Sequence, residues 1–352
     1  MKQQIKALTA TRAVAAIMVY IHHYGGGVFP FSKSNHIFQS GNLAVSYFFV
    51  LSGFVLYTSH QEKHINYREF MIRRIARIVP LYLFALLLCA SLPLLLPIGS
   101  VPENITRQFL YSALFLQAFI PNYALILNAP GWSLSVEMFF YVLFPLFMLM
   151  KRKNIKVFFL LTVVLFIFSQ AVHLWYFPEK DTLSSEKQDL LFFNPLIHIN
   201  QFLIGMAGGY IYGKLKDKPY KLFFVPTILF SLIMFLIAHR PANVSYHTGL
   251  IAPLFMLFIL SVALKQDKYL GASAFVFLGE ISFGIYILQK PVHDFLSYVN
   301  PRYLHITPQY FFYFSLGMLV LFAAICHYFI EKPFRSLINP KEHTTHPPRR
   351  SW

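Results

Sequence analysis

The stretch that decides the fold is WSLSVEMFFYVLFPLFMLM, residues 132–150, which runs into the basic triplet Lys151-Arg152-Lys153. Its one charged residue is Glu137. A helix of ~20 apolar residues, rising 1.5 Å per residue, crosses a hydrocarbon core ~30 Å thick. The stretch therefore predicts a transmembrane helix that carries a carboxylate and ends in a positively charged loop.

Similar apolar blocks fill the chain, in which 57% of the 352 residues are hydrophobic and 12% are charged. A soluble domain carries about 25% charged residues, so this composition is that of a protein dissolved in lipid. Because lipid offers no hydrogen bonds, spanning segments with these sequences must be helices. We predict an all-α polytopic membrane protein with about ten spans, near 9–28, 42–60, 79–97, 132–150, 157–177, 195–213, 222–238, 248–264, 272–292 and 309–330.

The formal charge of +16, from 30 Lys+Arg against 14 Asp+Glu, raises the question of nucleic-acid binding. We exclude it, because the basic residues form short clusters between apolar blocks, as retention of positive charge in the cytoplasm places them. Alternate loops hold single basic residues or the net acidic stretch 179–189. This asymmetry predicts that both termini are cytoplasmic.

The segment 109–127 is apolar enough to span, but a crossing there would place every later basic loop outside. We interpret it as a re-entrant or outer-surface helical segment. Irregular backbone at 128–131 then requires cover from protein or a water-filled cavity, which predicts a cavity on the outer side near Trp132. One transmembrane domain over 1–340 and a short basic cytoplasmic tail over 341–352 complete the organisation.

The N-terminus has two interpretations. Basic residues followed by the apolar stretch 13–21 resemble a secretory signal peptide, but the pair His22-His23 interrupts the approach to a cleavage site. An uncleaved first span is the better interpretation. Cys89 and Cys326 both lie in apolar blocks and predict neither a disulfide framework nor a metal site.

Arg12 and His23 are the ionisable residues that the first span keeps on one face. They are eleven residues apart, which is three turns and ~16 Å of rise, whereas His22 points about 100° away. Ionisable side chains at membrane depth are costly, and so are functional candidates. His23 could act as a general base or as an acyl carrier. The alternative is a structural histidine that bonds to a neighbouring helix.

Glu137 lies fourteen residues before Lys151, or ~21 Å from the inner boundary, which is close to the depth inferred for His23. A carboxylate beside an imidazole fixes its tautomer and stabilises the imidazolium. The alternative is an ion pair that holds two helices together.

The cluster Arg68, Arg73, Arg74 and Arg77 lies at the predicted cytoplasmic mouth of the third span. Arg74 and Arg77 are three apart, so they share a helical face suited to a phosphate. On the charges alone, retention on the cytoplasmic side and contact with lipid headgroups is the stronger interpretation. In the second span, Ser46 and Gly53 are seven apart and predict close helix packing.

At these residues the chain resembles the acyltransferase-3 family of membrane-bound O-acyltransferases, which acylate sugars of bacterial surface glycans. The resemblance covers nearly the whole chain. It is carried by LTATR (8–12) with His23 after ten residues, FFVLSGF (48–54), RRIARIVP (73–80), WSLSVE (132–137) with 140–141 and 144–145, ISFGIY (281–286) and EKP (331–333).

The resemblance implies that His23 is catalytic, that Arg12 supports it or the acyl donor, and that Arg74 and Arg77 meet the phosphates of acyl-CoA from the cytoplasm. It also implies that Trp132 and Glu137 belong to the central site. The family often has His-x-Pro where this chain has Gln289-Lys-Pro291, so the role of that histidine does not carry over. The fused extracytoplasmic domain of longer members has no counterpart, so a soluble transferase would be a separate protein.

The resulting hypothesis is an acyl-CoA-dependent transferase, most simply of acetyl, in a bacterial cytoplasmic (inner) membrane. Its acceptor would be a sugar hydroxyl of a lipid-linked or surface glycan such as an O-antigen or exopolysaccharide. Acyl-CoA is a co-substrate, and no metal or permanently bound cofactor is predicted. His23 would be the base, oriented by Glu137, and Trp132, Ser133 or Tyr141 would donate to the oxyanion. Supporting roles fall to Arg73, Tyr82 and Tyr286.

The rival hypothesis is a transporter or flippase for a glycan or an anion, in which the same polar residues line a path. Such folds are typically built from an internal repeat with paired broken helices, and the sequence shows neither.

Overall fold

A computed structural model describes residues 5–31, 36–62, 65–98, 103–176, 183–218, 224–241, 244–265 and 270–338. All regular secondary structure in these ranges is helical. The predicted tail, 341–352, lies outside the described residues.

The helices follow one another without any intervening strand in the described ranges. They are α1 Lys6–Tyr24, α2 His36–Gln39, α3 Leu43–His60, α4 Tyr67–Leu95, α5 Ile105–Ala113, α6 Trp132–Lys153, α7 Ile155–Tyr176, α8 Ser185–Phe192, α9 Pro195–Leu215, α10 Val225–Ala238, α11 Ala252–Lys265, α12 Ser273–Glu280, α13 Ser282–Val299, α14 Pro308–Cys326 and α15 Lys332–Ile338. One-turn π-helical segments follow α13 and α14.

Six helical stretches in the described ranges are long and apolar enough to cross a membrane, and α12 with α13, bent by 54°, would make a seventh. The fold is that of a multi-pass membrane protein, but the predicted count of ten is not reached by this criterion. Nine of the predicted spans overlap one α-helix each, and the span predicted at 272–292 is divided between α12 and α13. However, α10 and α11 have 14 residues each, or ~21 Å, and α1 carries two basic residues and two histidines.

The third predicted span begins twelve residues earlier than expected. Its helix, α4, starts at Tyr67, and the side chain of Asn66 accepts a hydrogen bond from the backbone N–H of Glu69 at 3.2 Å. This contact satisfies one of the unpaired donors of the first turn. The arginine cluster therefore lies inside α4, and its side chains project from a helix.

The segment 105–131 does not form a long helix. It contains the nine-residue α5, and then backbone that turns into the left-handed region at Phe115, Asn122 and Leu127. Side chains of the neighbouring helices satisfy its carbonyl groups: Tyr82 donates to Ser112 at 3.1 Å, and Ser135 donates to Phe115 at 2.5 Å. Irregular backbone is tolerated at membrane depth because protein covers it in this way.

The same segment is joined to α13. Pro291 has no N–H, so the carbonyl of Ile287, one turn before it, lacks its usual helical donor. The side-chain amide of Asn128 donates to that carbonyl at 2.9 Å. Asn128, in the irregular segment, thus supplies the donor that the kinked helix α13 lacks, and the bond holds the segment before α6 against α13.

Helices α3 and α9 form the most extensive contact between helices in the described ranges. A methyl group on Gly53 would lie 2.0 Å from the carbonyl oxygen of Phe202, and one on Gly205 would lie 2.0 Å from that of Val50. The hydroxyl of Ser46 donates to the side-chain oxygen of Gln201 at 2.7 Å. The predicted small-residue face of the second span is therefore a packing face, as its spacing indicated.

Candidate active site

A cavity of about 750 Å³ lies among α1, α3, α4, α6 and α13. At one end its lining includes the exposed residues Lys6, Ser59 and Lys216, which lie at helix ends that the charge pattern predicts to be cytoplasmic. At the other end it reaches Ser133 at the start of α6 and Tyr286 on α13. The cavity therefore runs from a solvent-facing rim into the middle of the bundle.

The charge of this cavity is strongly unbalanced. Its described charged lining residues are Lys6, Arg12, Arg74, Arg77, Lys216 and Glu137. Five basic side chains thus face one carboxylate. A cleft lined by one sign of charge, with low-dielectric walls, focuses the field and concentrates ligands of the opposite sign. The cavity is suited to an anion that carries several negative charges.

Arg74 shows this preference most directly. Its guanidinium carbon lies 5.7 Å from the ring centroid of Phe70 and 5.8 Å from that of Tyr141. Its Nε atom is buried without a hydrogen-bond partner, and in the described part of the chain Arg74 forms no ion pair. Leaving a buried donor unpaired is costly, so an oxyanion in the cavity would supply what the protein does not.

Glu137 belongs to this cavity and not to His23. Its carboxylate accepts hydrogen bonds from the hydroxyl of Ser52 at 3.1 Å and from that of Tyr141. It interacts electrostatically with Arg12 and Arg74. The predicted contact with His23 is therefore not formed. Depth counted from flanking charges misled here, because basic residues such as Arg74 and Arg77 lie inside a helix and not at its end.

His23 lies in the last turn of α1 and is exposed, outside the cavity lining. Its Nδ1 is 3.0 Å from Oε1 of Gln289 on α13. Gln289 follows Tyr286, a lining residue of the cavity, by three residues, or ~4.5 Å of helical rise. The two ends of the predicted first-span face therefore have different surroundings: Arg12 lines the cavity, and His23 lies one turn of α13 beyond it.

His22 faces another part of the molecule. A methyl group on Gly41, just before α3, would lie 2.7 Å from Cβ of His22. The adjacent histidines therefore pack against different elements, as their angular separation on the helix requires.

The hydroxyls that were predicted to stabilise an oxyanion are already occupied. Ser133 and Tyr286 lie 2.8 Å apart, and both approach the carbonyl oxygen of Pro130, at 3.0 and 3.1 Å. Each hydroxyl has one proton, so this triangle uses both of them. Tyr141 donates to Glu137. The contacts among Pro130, Ser133 and Tyr286 hold the start of α6 in place.

Three other predicted site residues lie outside the cavity lining. Trp132 is buried, with its ring centroid 5.2 Å from that of His198 and 5.4 Å from that of His247. Tyr82 supports the irregular segment before α6. Arg73 is partly exposed and pairs with Glu69 at 3.5 Å. The cavity reaches the start of α6 at Ser133, but its exposed lining residues lie at helix ends that are predicted to be cytoplasmic. It is therefore not the cavity that was predicted on the outer side near Trp132.

Several residues that shape the site were not predicted. Ser52 entered the sequence analysis only as part of the motif FFVLSGF, without a role of its own. Gln289 stands where the sequence departs from the family pattern, and it is the hydrogen-bond partner of His23. Glu331, from the EKP motif, is an electrostatic neighbour of Arg12. Within the described ranges, no group of three His, Cys, Asp or Glu side chains is placed to hold a metal ion.

Comparison with known proteins defines the class. The family model described as an acyltransferase domain, that of the acyltransferase-3 family, matches residues 5–328, and the chain belongs to this family. Acyltransferase MdmB of Streptomyces mycarofaciens is 35% identical over 162 residues, which is 43% of this chain and 41% of that protein. No solved structure matches.

Longer alignments join the chain to proteins of Staphylococcus aureus. O-acetyltransferase OatA of strain NCTC 8325 is 25% identical over 366 residues, which is 94% of this chain and 57% of that protein. A putative O-acetyltransferase of strain COL is 24% identical over 367 residues, with the same coverage. The chain thus spans little more than half the length of these relatives.

Proposed function

We propose that the protein transfers an acyl group, most simply acetyl, from acyl-CoA to a sugar hydroxyl of a lipid-linked or surface glycan. The observation that carries this proposal is the cavity of five basic residues and one carboxylate in a chain of the acyltransferase-3 family. Acyl-CoA carries several phosphate charges at one end and a thioester at the other. Relatives named O-acetyltransferases favour acetyl as the group transferred.

The donor would enter at the rim formed by Lys6 and Lys216, with its phosphates near Arg74 and Arg77. Arginine is suited to this role because its planar guanidinium offers paired N–H donors to phosphate oxygens. The thioester would then point along the cavity towards Tyr286. The face that carries the rim is predicted to be cytoplasmic, where acyl-CoA is available.

His23 would serve the acceptor side. The acceptor hydroxyl gives its proton to the free ring nitrogen of His23 as its oxygen attacks the thioester carbon. The C–S bond breaks, and the departing thiolate takes the proton from the imidazolium of His23. The products are a sugar ester and free CoA thiol. Transfer requires the cavity to extend by the turn of α13 between Tyr286 and Gln289, so the loaded state differs from the present one there.

Membrane placement follows from the same scheme. We propose a bacterial cytoplasmic membrane with both termini inside. Reporter fusions after Lys153 and Lys216 should read cytoplasmic, and fusions near Ser184 and Pro301 should read outside. A fusion after Lys153 that reads outside would remove this orientation.

The direct test uses the purified chain in lipid discs with acetyl-CoA labelled in the acetyl group and glycan-bearing lipid extracts as acceptor. The expected result is release of free thiol together with label in an alkali-labile ester on the glycan. Movement of intact acetyl-CoA or glycan without thiol release would instead support a transporter.

A further inference from the structure

The amide of Gln289 has a fixed orientation. Gln289 is fully buried on α13, and its Nε2 donates to the backbone carbonyl of Tyr286 at 2.7 Å. A carbonyl oxygen only accepts hydrogen bonds, so the NH₂ end of the amide must be the end that faces Tyr286. Rotating the amide by 180° would place two oxygens in contact there. The oxygen end is therefore left facing His23.

This orientation determines where the proton of His23 lies. Oε1 of Gln289 is 3.0 Å from Nδ1 of His23, and an amide oxygen has no proton to give. The hydrogen bond forms only if Nδ1 carries the proton. In the neutral ring the lone pair is then on Nε2, because the two nitrogens of a neutral imidazole have opposite roles.

We propose that Gln289 is a positioning residue that holds His23 in the Nδ1–H tautomer, so that Nε2 is presented as the base or nucleophile. Its role in catalysis rests on the proposed acyl transfer, whereas the tautomer itself does not. In a serine-protease triad, the group that accepts the hydrogen bond from Nδ1–H of the catalytic histidine is a carboxylate, and its replacement gives the wrong tautomer. A neutral amide fixes the tautomer without adding a negative charge beside the ring.

The ionisable groups around His23 agree with this role for a neutral partner. On α1 the ring centroids of His22 and Tyr24 lie 5.4 and 5.9 Å from that of His23. On α13, Lys290 and Asp294 pair with each other at 2.5 Å, and His293 stacks on Tyr24 with ring centroids 3.8 Å apart. Within the described residues, the ring of His23 has its hydrogen bond to Gln289.

A contact to the backbone of α13 restricts the position of Gln289. Asn128 is bonded to the carbonyl of Ile287, two residues before Gln289 and four before Pro291. Asn128 therefore stabilises the turn that carries Gln289 from outside the helix, at the point where Pro291 removes a backbone hydrogen bond of α13.

The tautomer can be measured without any activity, by ¹⁵N NMR of selectively labelled histidine in the full chain in lipid discs, with His23→Gln to assign the signals. At neutral pH the parent protein should show a protonated Nδ1 and an unprotonated Nε2. A protonated Nε2 in the parent protein would overturn the proposal, whatever the variants do.

Two substitutions separate the chemistry of the partner from its bulk. Gln289→Met keeps the length but has no strong acceptor, and Gln289→Glu keeps an acceptor. Gln289→Met should populate both tautomers and lose at least tenfold in kcat with an unchanged KM for acetyl-CoA. Gln289→Glu should recover activity relative to Gln289→Met, with the acidic limb of its pH profile moved to higher pH because a carboxylate favours the charged ring.

These outcomes keep the two proposals apart. If the parent protein shows the Nδ1–H tautomer but transfers no acyl group, the proposed function fails and the positioning stands. If it transfers acyl groups, and Gln289→Met keeps both tautomer and rate, the positioning fails and the proposed function stands. Detergent melting of each variant verifies that it is folded.

Discussion

Replacing Arg74 by methionine tests the cavity as a site for the phosphates of the donor. The change removes the charge and the N–H groups while keeping a long side chain in the space beside Phe70 and Tyr141. A charge-assisted hydrogen bond contributes about 1.5–3 kcal/mol. Since 1.4 kcal/mol is a factor of ten, the KM for acetyl-CoA should rise by about 10- to 150-fold.

The same variant should show a characteristic stability pattern. Removing a buried donor without a partner relieves about 1–3 kcal/mol, while losing the contacts with two aromatic rings costs about 0.5–2 kcal/mol. These terms nearly cancel, so the melting temperature without ligand should change little. A ligand at 100 times its Kd stabilises by about 2.7 kcal/mol, and a 100-fold weaker Kd reduces this to about 0.4 kcal/mol.

The neighbouring Arg73 provides the matched control. It has the same charge and lies on the same helix, but it points to Glu69 at the surface. Arg73→Met should keep both the KM for acetyl-CoA and the ligand-induced rise in melting temperature, measured by thiol release and by thermal shift. If the two variants behave alike, the arginines of α4 act only through general positive charge and the reasoning is refuted.

Two further predictions concern the cavity's carboxylate and the kink of α13. Glu137→Gln should change the KM for acetyl-CoA, because Glu137 lies among the arginines on the donor side. It should leave the pH dependence of kcat as in the parent protein. A shifted pH profile of kcat would show that Glu137 acts on His23. Asn128→Leu should destabilise by about 1–3 kcal/mol in detergent unfolding, since the carbonyl of Ile287 loses its donor. In a Pro291→Ala background the cost should be smaller, because the N–H restored at 291 can bond that carbonyl; equal costs would show that the two sites are independent.

The sequence predicted the helical class because apolar blocks near 20 residues in length allow no other structure in lipid. It also predicted that Arg74 and Arg77 share a face, since helical periodicity depends only on local geometry. The length of α4 could not be predicted in the same way. A helix continues past the membrane boundary wherever its caps and packing permit, and hydropathy does not register Tyr67 as its start.

The partner of each polar residue was the least predictable feature. Glu137 and His23 were assigned to one site from their depths, but which helices face each other is set by close packing such as that of Gly53 on α9. The orientation of the Gln289 amide depends on a hydrogen bond to the backbone carbonyl of Tyr286, and a pattern of side chains does not predict such a bond. Motif spacing identified the helices that carry the site residues. Tertiary contacts determined that Glu137 lines the cavity with Arg12, whereas His23 lies outside the cavity lining.

In the proposed mechanism His23 performs the chemistry, and a comparison of the adjacent histidines tests this role. His23→Ala and His22→Ala remove the same group one position apart, and only His23 contacts Gln289. Removing a positioned base lowers a rate by about 10²- to 10⁴-fold. We predict that, at equal amounts of folded protein in membranes, glycan acylation is lost to this extent in His23→Ala and largely retained in His22→Ala. Parent-like acylation by His23→Ala, or loss of acylation in His22→Ala alone, would show that His23 is not the catalytic base.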